Sequence, residues 1–100
     1  MDHKNFEWGH CEDLYEDFGV SVRRVYLDRG RAYTVAAPGG FSSAVAVVSG
    51  YGIVRFSNTS IEIKPGRVID AETYKGRTYL LEATANSGLS FVETITRMSS

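Results

Sequence analysis

The side chains that could carry acid–base, nucleophilic or metal chemistry are spread unevenly along this sequence. Both histidines, His3 and His10, lie in the first ten residues, next to the only cysteine, Cys11, and the acids Glu12 and Asp13. Imidazole and thiolate are common zinc ligands. This spacing matches no established ligand pattern, however, and adjacent side chains rarely converge on one ion, so a solvated start to an element is the better reading. Residues 18–100 contain no histidine, which removes the usual general base from most of the chain. As a nucleophile, Cys11 would need an activating partner that the sequence does not place. The body is left with arginines, hydroxyls and carboxylates such as Glu82 and Glu93. Tyr79 stands out among them. A lone phenol, with a pKa of about 10, is a poor base at neutral pH, so hydrogen bonding is its expected role.

One hundred residues make one small domain, and 43% hydrophobic with 23% charged residues is globular composition. The formal net charge of −1 combines −5 over residues 1–17 with +4 over residues 18–100. Ten bases spread through that body are too sparse for the dense stripe of a duplex binder, which argues against nucleic acid. No apolar run is long enough to cross a bilayer, and the acidic start is unlike a secretory signal. With a single cysteine, these features point to a cytoplasmic setting.

From Val20 onward the sequence reads as short strands: 20–27, 31–37, 44–49, 52–57, 60–64, 68–71, 77–83 and 89–96. Turn chemistry separates them at Asp28-Arg29-Gly30, Pro38-Gly39-Gly40, Gly50-Tyr51-Gly52, Ser57-Asn58-Thr59, Pro65-Gly66, Lys75-Gly76 and Asn86-Ser87-Gly88. Regular spacing without intervening helices predicts an all-β antiparallel barrel or sandwich over residues 20–100. Residues 1–19 read as an acidic N-terminal arm with a short helix over His10–Phe18, suited by its acidic leading turn. A small all-β domain without disulfides has a thin stability margin and open edges, so a homodimer is expected.

Several segments resemble the cupin family. They are Trp8-Gly9, Val22-Arg23-Arg24-Val25 before Gly30, Val47-Val48-Ser49-Gly50, Ile61 to Gly66 leading on to Gly76-Arg77-Thr78-Tyr79, and Phe91-Val92-Glu93. Within that family the sequence is most similar to the C-terminal cupin of type II mannose-6-phosphate isomerase and mannose-1-phosphate guanylyltransferase proteins. The resemblance implies a cupin-like jelly-roll barrel. The positions where it would place metal ligands hold Ala36, Pro38, Ser43 and Tyr79. Alanine and proline side chains have no donor atom, and neutral Ser or Tyr is a poor ligand for Zn²⁺ or Mn²⁺. The resemblance therefore implies a module without a metal or other cofactor, and the family's metal-dependent chemistry is not carried over.

Strand alternation extends that alignment to a candidate site. If Ala36 faces inward so does Thr34, and Ser43 and Tyr79 carry their own alternate neighbours inward with them. With Arg24, these hydroxyls form an expected ligand set of Arg24, Thr34, Ser43 and Tyr79. They suit a sugar phosphate or nucleotide-like anion, the arginine supplying a bidentate fork. The expected function is a binding module rather than an enzyme. One alternative is a metal-independent sugar isomerase or epimerase using Glu93 or Glu82 with Tyr79. Another is a protein-interaction module with a filled barrel, docking through the acidic arm.

Overall fold

The computed structural model describes residues 3–37, 39–70, 73–74 and 77–97. Ten strands run through them in chain order: β1 (His3–Phe6), β2 (Gly9–Asp17), β3 (Val20–Leu27), β4 (Ala32–Val35), β5 (Phe41–Gly50), β6 (Gly52–Phe56), β7 (Thr59–Ile63), β8 (Val68–Ile69), β9 (Tyr79–Ala83) and β10 (Leu89–Arg97). All eight strands expected beyond residue 20 are present. All pairings are antiparallel and form two sheets, of order β1-β2-β3-β10-β5-β8 and β4-β9-β6-β7.

The helix expected over His10–Phe18 is instead the strand β2. A helix of nine residues is marginal alone, whereas this segment pairs along β3 and alternates Gly9 and Cys11 into the core. Charge adds to the preference. Glu12 lies opposite Arg24 and Asp13 opposite Arg23, so cross-strand attraction replaces the repulsion that neighbouring acids would suffer on a helix face.

The space between the sheets divides into two halves. At one end, Leu27, Val54, Leu81, Ala83, Leu89 and Phe91 are almost wholly buried, as close-packed as an apolar core requires. The connections there are tight. Gly50 has φ +83°, and a Cβ on it would lie 2.0 Å from the Gly88 carbonyl oxygen, so only glycine fits. Toward the other end the inner row changes character: Asp13, Arg23 and Glu93 follow one another across β2, β3 and β10, with Val45 next on β5.

Candidate functional site

β10 supplies the centre of the polar half. Phe91 and Glu93 alternate into the interior, and Glu93 is only 2% exposed. A carboxylate so removed from water requires partners. The Tyr33 hydroxyl, from β4 in the facing sheet, donates a 2.8 Å hydrogen bond to Glu93 Oε1. From β3, Arg23 Nε lies 3.8 Å from the same oxygen and 3.9 Å from Asp13 Oδ1. Burial raises the Glu93 carboxyl above the ordinary carboxylate range, and the Tyr33 hydrogen bond and Arg23 charge offset only part of that rise. Tyr33 and Tyr79 are both pushed upward, by burial first and then by the Glu93 charge, so both phenols stay protonated.

Two donors in this cluster have no hydrogen-bond partner among the described residues, Tyr79 Oη and Arg23 Nε. Arg23 Nε keeps the longer electrostatic contacts with its two carboxylates. Beyond Tyr79 the lining becomes aromatic. Tyr74 packs against Tyr79 at 5.0 Å between ring centres and stacks on Phe56 at 4.4 Å. Phe56, Thr73, Tyr74 and Arg77 line an open pocket of about 290 Å³ there. On the other flank, Trp8 meets Tyr33 edge-on at 5.0 Å and stacks on Phe6 at 4.6 Å. A larger groove of about 630 Å³, lined by Tyr51, Ile53, Glu62 and Lys64 among others, sits at the opposite end of β6 and β7, away from Glu93.

The four residues expected from the sequence do not come together. Tyr79 is buried and faces inward, and Ser43 lies on the inner face in step with Val45 and Val47. Thr34 is exposed, because Tyr33 and Val35 are the inward residues of β4. Arg24 lies on the outer face of the larger sheet, where its Nε donates to Ser90 Oγ at 3.0 Å and its guanidinium covers the Tyr26 ring at 4.9 Å. The inward arginine is its neighbour Arg23. Glu82 also faces outward, accepting a 2.9 Å hydrogen bond from Arg55 Nε. Arg23 and Tyr33 are thus site residues that the sequence reading missed. For Tyr33 the signal was available, since it alternates with Val35 on the more apolar face of β4; on β3 the two faces are equally apolar, each with one arginine, so the sequence did not separate Arg23 from Arg24.

The positions aligned with metal ligands can be tested against this geometry. Ala36 is exposed and has no donor atom, Pro38 lies outside the described residues, and Ser43 offers a neutral hydroxyl. Tyr79 is held away from the phenolate that metal binding favours. This donor set does not fit a divalent ion, and no three His, Cys, Asp or Glu side chains among the described residues are grouped to hold one.

The two-sheet arrangement has close counterparts among solved structures. The Cupin_2 domain of an XRE family transcriptional regulator from Enterobacter cloacae superposes with a TM-score of 0.75 at 13% identity, over 89% of this chain and 96% of that one. The fold is that of a cupin. A predicted oxalate decarboxylase from Thermotoga maritima gives 0.75 at 19% identity, covering 89% of this cupin-fold chain and 80% of its own. KdgF from a Halomonas species gives 0.74 at 18%, covering 98% and 90%. No protein-family model matches the sequence, and no curated protein is detectably similar to it. Cupin-fold neighbours thus include part of a regulator as well as a predicted decarboxylase, so the fold leaves the activity to be argued from the site.

Proposed function

We propose that this cupin-fold domain is a binding module for a small, neutral, hydroxyl-bearing molecule held at the polar end of the barrel. The observation that carries the reading is the pair of buried donors without hydrogen-bond partners among the described residues, Tyr79 Oη and Arg23 Nε, beside the buried carboxylate of Glu93. Leaving such groups unpaired costs about 1–3 kcal/mol each, a cost that persists in folds where the groups serve a ligand. A ligand hydroxyl is both donor and acceptor. It can give its proton to Glu93 and accept from Tyr79 or Arg23. The Tyr74 ring, which packs against Tyr79 and lines the open pocket with Phe56, offers an apolar wall on that side.

The anionic ligand expected from the sequence loses its support, because it rested on Arg24. The inward arginine, Arg23, already faces two carboxylates, so a phosphate there would meet the charges of Glu93 and Asp13. A filled barrel is disfavoured by the interior donors that find no partner among the described residues. Part of the acidic arm also faces arginines of its own chain, Glu12 opposite Arg24 and Asp13 opposite Arg23.

The test is titration with neutral monosaccharides, polyols and amino alcohols beside sugar phosphates and nucleotides, followed by calorimetry and by the fluorescence of Trp8, the only tryptophan. Neutral hydroxylated compounds should bind, and Tyr79→Phe should weaken them about tenfold, the loss of one hydrogen bond to a buried site. Arg24→Met and Thr34→Ala should leave affinity unchanged. Binding confined to phosphorylated compounds, or affinity indifferent to Tyr79, would overturn the reading.

One observation favours a second reading, proton transfer on a hydroxylated carbonyl compound. Burial raises the Glu93 carboxyl above the ordinary carboxylate range, and the Tyr79 phenol within reach of its charge stays protonated, which places a proton acceptor beside a hydrogen-bond donor. Isomerisation of such a substrate with a rate rising as one carboxyl ionises, lost in Glu93→Gln, would establish that reading; a flat pH–rate profile would remove it.

A further inference from the structure

Single apolar side chains on a surface are ordinary, whereas a cluster of them marks a binding surface. Leu14, Tyr15 and Phe18 make such a cluster at the end of the β2–β3 hairpin, and Phe18 is 86% exposed. A β-bulge contributes to it. Asp13 lies opposite Arg23 and Tyr15 opposite Val22, which leaves Leu14 as the extra residue without a cross-strand partner. β1 pairs with β2 only as far as Glu12, so beyond the bulge β3 is the sole neighbouring strand of β2 among the described residues. Arg97 props the hairpin end, its guanidinium lying 4.7 Å from the Phe18 ring and 5.7 Å from that of Phe41. Charge changes at the same bulge. Before it, Glu12 and Asp13 face Arg24 and Arg23; after it, the exposed Glu16 and Asp17 face Ser21 and Val20. Asp17 accepts hydrogen bonds from the Phe18 backbone N–H at 2.7 Å and the Tyr15 hydroxyl at 3.0 Å, which hold its carboxyl below the ordinary range. Both donors are neutral, so they leave its negative charge in place.

We infer that the end of the β2–β3 hairpin is a docking surface for a basic, extended segment of another protein, one that sets lysines or arginines beside an apolar residue. Charge complementarity selects this occupant. Residues 12–17 hold four acids and no base, and the two acids without an arginine opposite, Glu16 and Asp17, lie between Tyr15 and Phe18. Apolar contact with the exposed rings then supplies affinity, and the carboxylates choose the sign of the partner. A second copy of this chain is the wrong occupant, because a two-fold would set the same acids against each other. Past the bulge, the open side of β2 also offers main-chain donors and acceptors to an extended segment. Leu14, Tyr15, Glu16, Asp17 and Phe18 take no part in the cluster of Glu93, Tyr33, Arg23 and Asp13, so this surface stands apart from the ligand reading.

Fluorescence anisotropy of a labelled peptide of about eight residues, alternating lysine with leucine and titrated with the full chain, tests this against a glutamate–leucine counterpart. The lysine peptide should bind with a Kd of roughly 10–100 μM at low salt, weakening as ionic strength rises, and the glutamate peptide should not bind. Phe18→Ser should weaken binding at least about tenfold, the share of a large apolar side chain. Glu16→Lys should weaken it by about as much and flatten its salt dependence. Both positions are exposed, so the variants keep the fold, which circular dichroism checks. Tyr51→Ser, at an exposed aromatic beyond the other end of β5, should bind as the wild type does. Equal binding of the two peptides, no binding at about 1 mM, or an affinity unchanged in folded Phe18→Ser and Glu16→Lys overturns the inference. So does a wild-type chain that self-associates in sedimentation equilibrium and is returned to monomer by Phe18→Ser, since a second copy would then be the occupant.

Discussion

Replacing Tyr79 by Phe should make the ligand-free protein more stable, not less. A buried tyrosine hydroxyl normally holds a partner, and its loss then costs stability. Here the ring is 95% buried by its 5% exposure, it packs against Tyr74, and the hydroxyl meets no partner among the described residues. Removing that oxygen keeps the ring contacts and relieves the desolvation of an unpaired group, about 1 kcal/mol or more. For a domain of this size that corresponds to a rise in Tm of about 4–8 °C per kcal/mol. Thermal melts followed by circular dichroism at pH 7 would measure it. The phenol remains neutral well above neutrality, so the gain should be the same at pH 6 and pH 8. Ligand affinity should move the opposite way, the signature of a group retained for binding at the expense of stability. A Tm that falls by more than about 2 °C would refute the reasoning, since it would mean that the hydroxyl is satisfied within the fold.

Glu93→Gln should change how stability depends on pH. The folded carboxyl titrates above its ordinary value, so the native state keeps a proton that the unfolded chain has released. Wild-type stability therefore falls as pH rises from the ordinary carboxylate range through the raised value, and urea midpoints of the Gln variant should lack that fall. Arg23→Met leaves two carboxylates without their counter-charge. Its guanidinium side chain is 35% exposed, which limits the cost to about 1–2 kcal/mol at pH 7, and Arg24→Met should cost less than half as much in the same denaturation series. Gly50→Ala combines a left-handed φ of +83° with a Cβ 2.0 Å from a backbone oxygen, so a loss of at least about 2 kcal/mol should appear in its melting curve.

The strands were legible because alternating apolar residues and turn chemistry reinforce each other from Val20 onward. The first twenty residues were not. Their acids suit a helix start when read alone, and only the arginines of β3, opposite Glu12 and Asp13, make them good strand residues. The site suffered from a different difficulty. A strand has period two, so an error of one position exchanges its faces. Fixing β4 by Ala36 turned Thr34 inward in place of Tyr33, and Arg24 was chosen where Arg23 points in; Ser43 and Tyr79 were assigned to the correct face. Glu93 was visible only as one of two candidate acids. What separates it from Glu82 is its position on β10, between Arg23 of one neighbouring strand and Val45 of the other, and no local pattern encodes that pairing.

β10 has a consequence for how the molecule is made. It is the last strand described in the chain, yet it occupies the middle of the larger sheet, between β3 and β5. While the ribosome is still translating residues 89–97, β3 and β5 have no common neighbour, and Arg23 and Tyr33 wait for an acid 60 to 70 residues downstream. Helical proteins can consolidate as they emerge, but a sheet closed by its final strand has to wait for that strand and so folds slowly. The strand that completes the sheet also delivers Glu93, so a chain interrupted before residue 89 lacks both the architecture and the chemistry of its pocket.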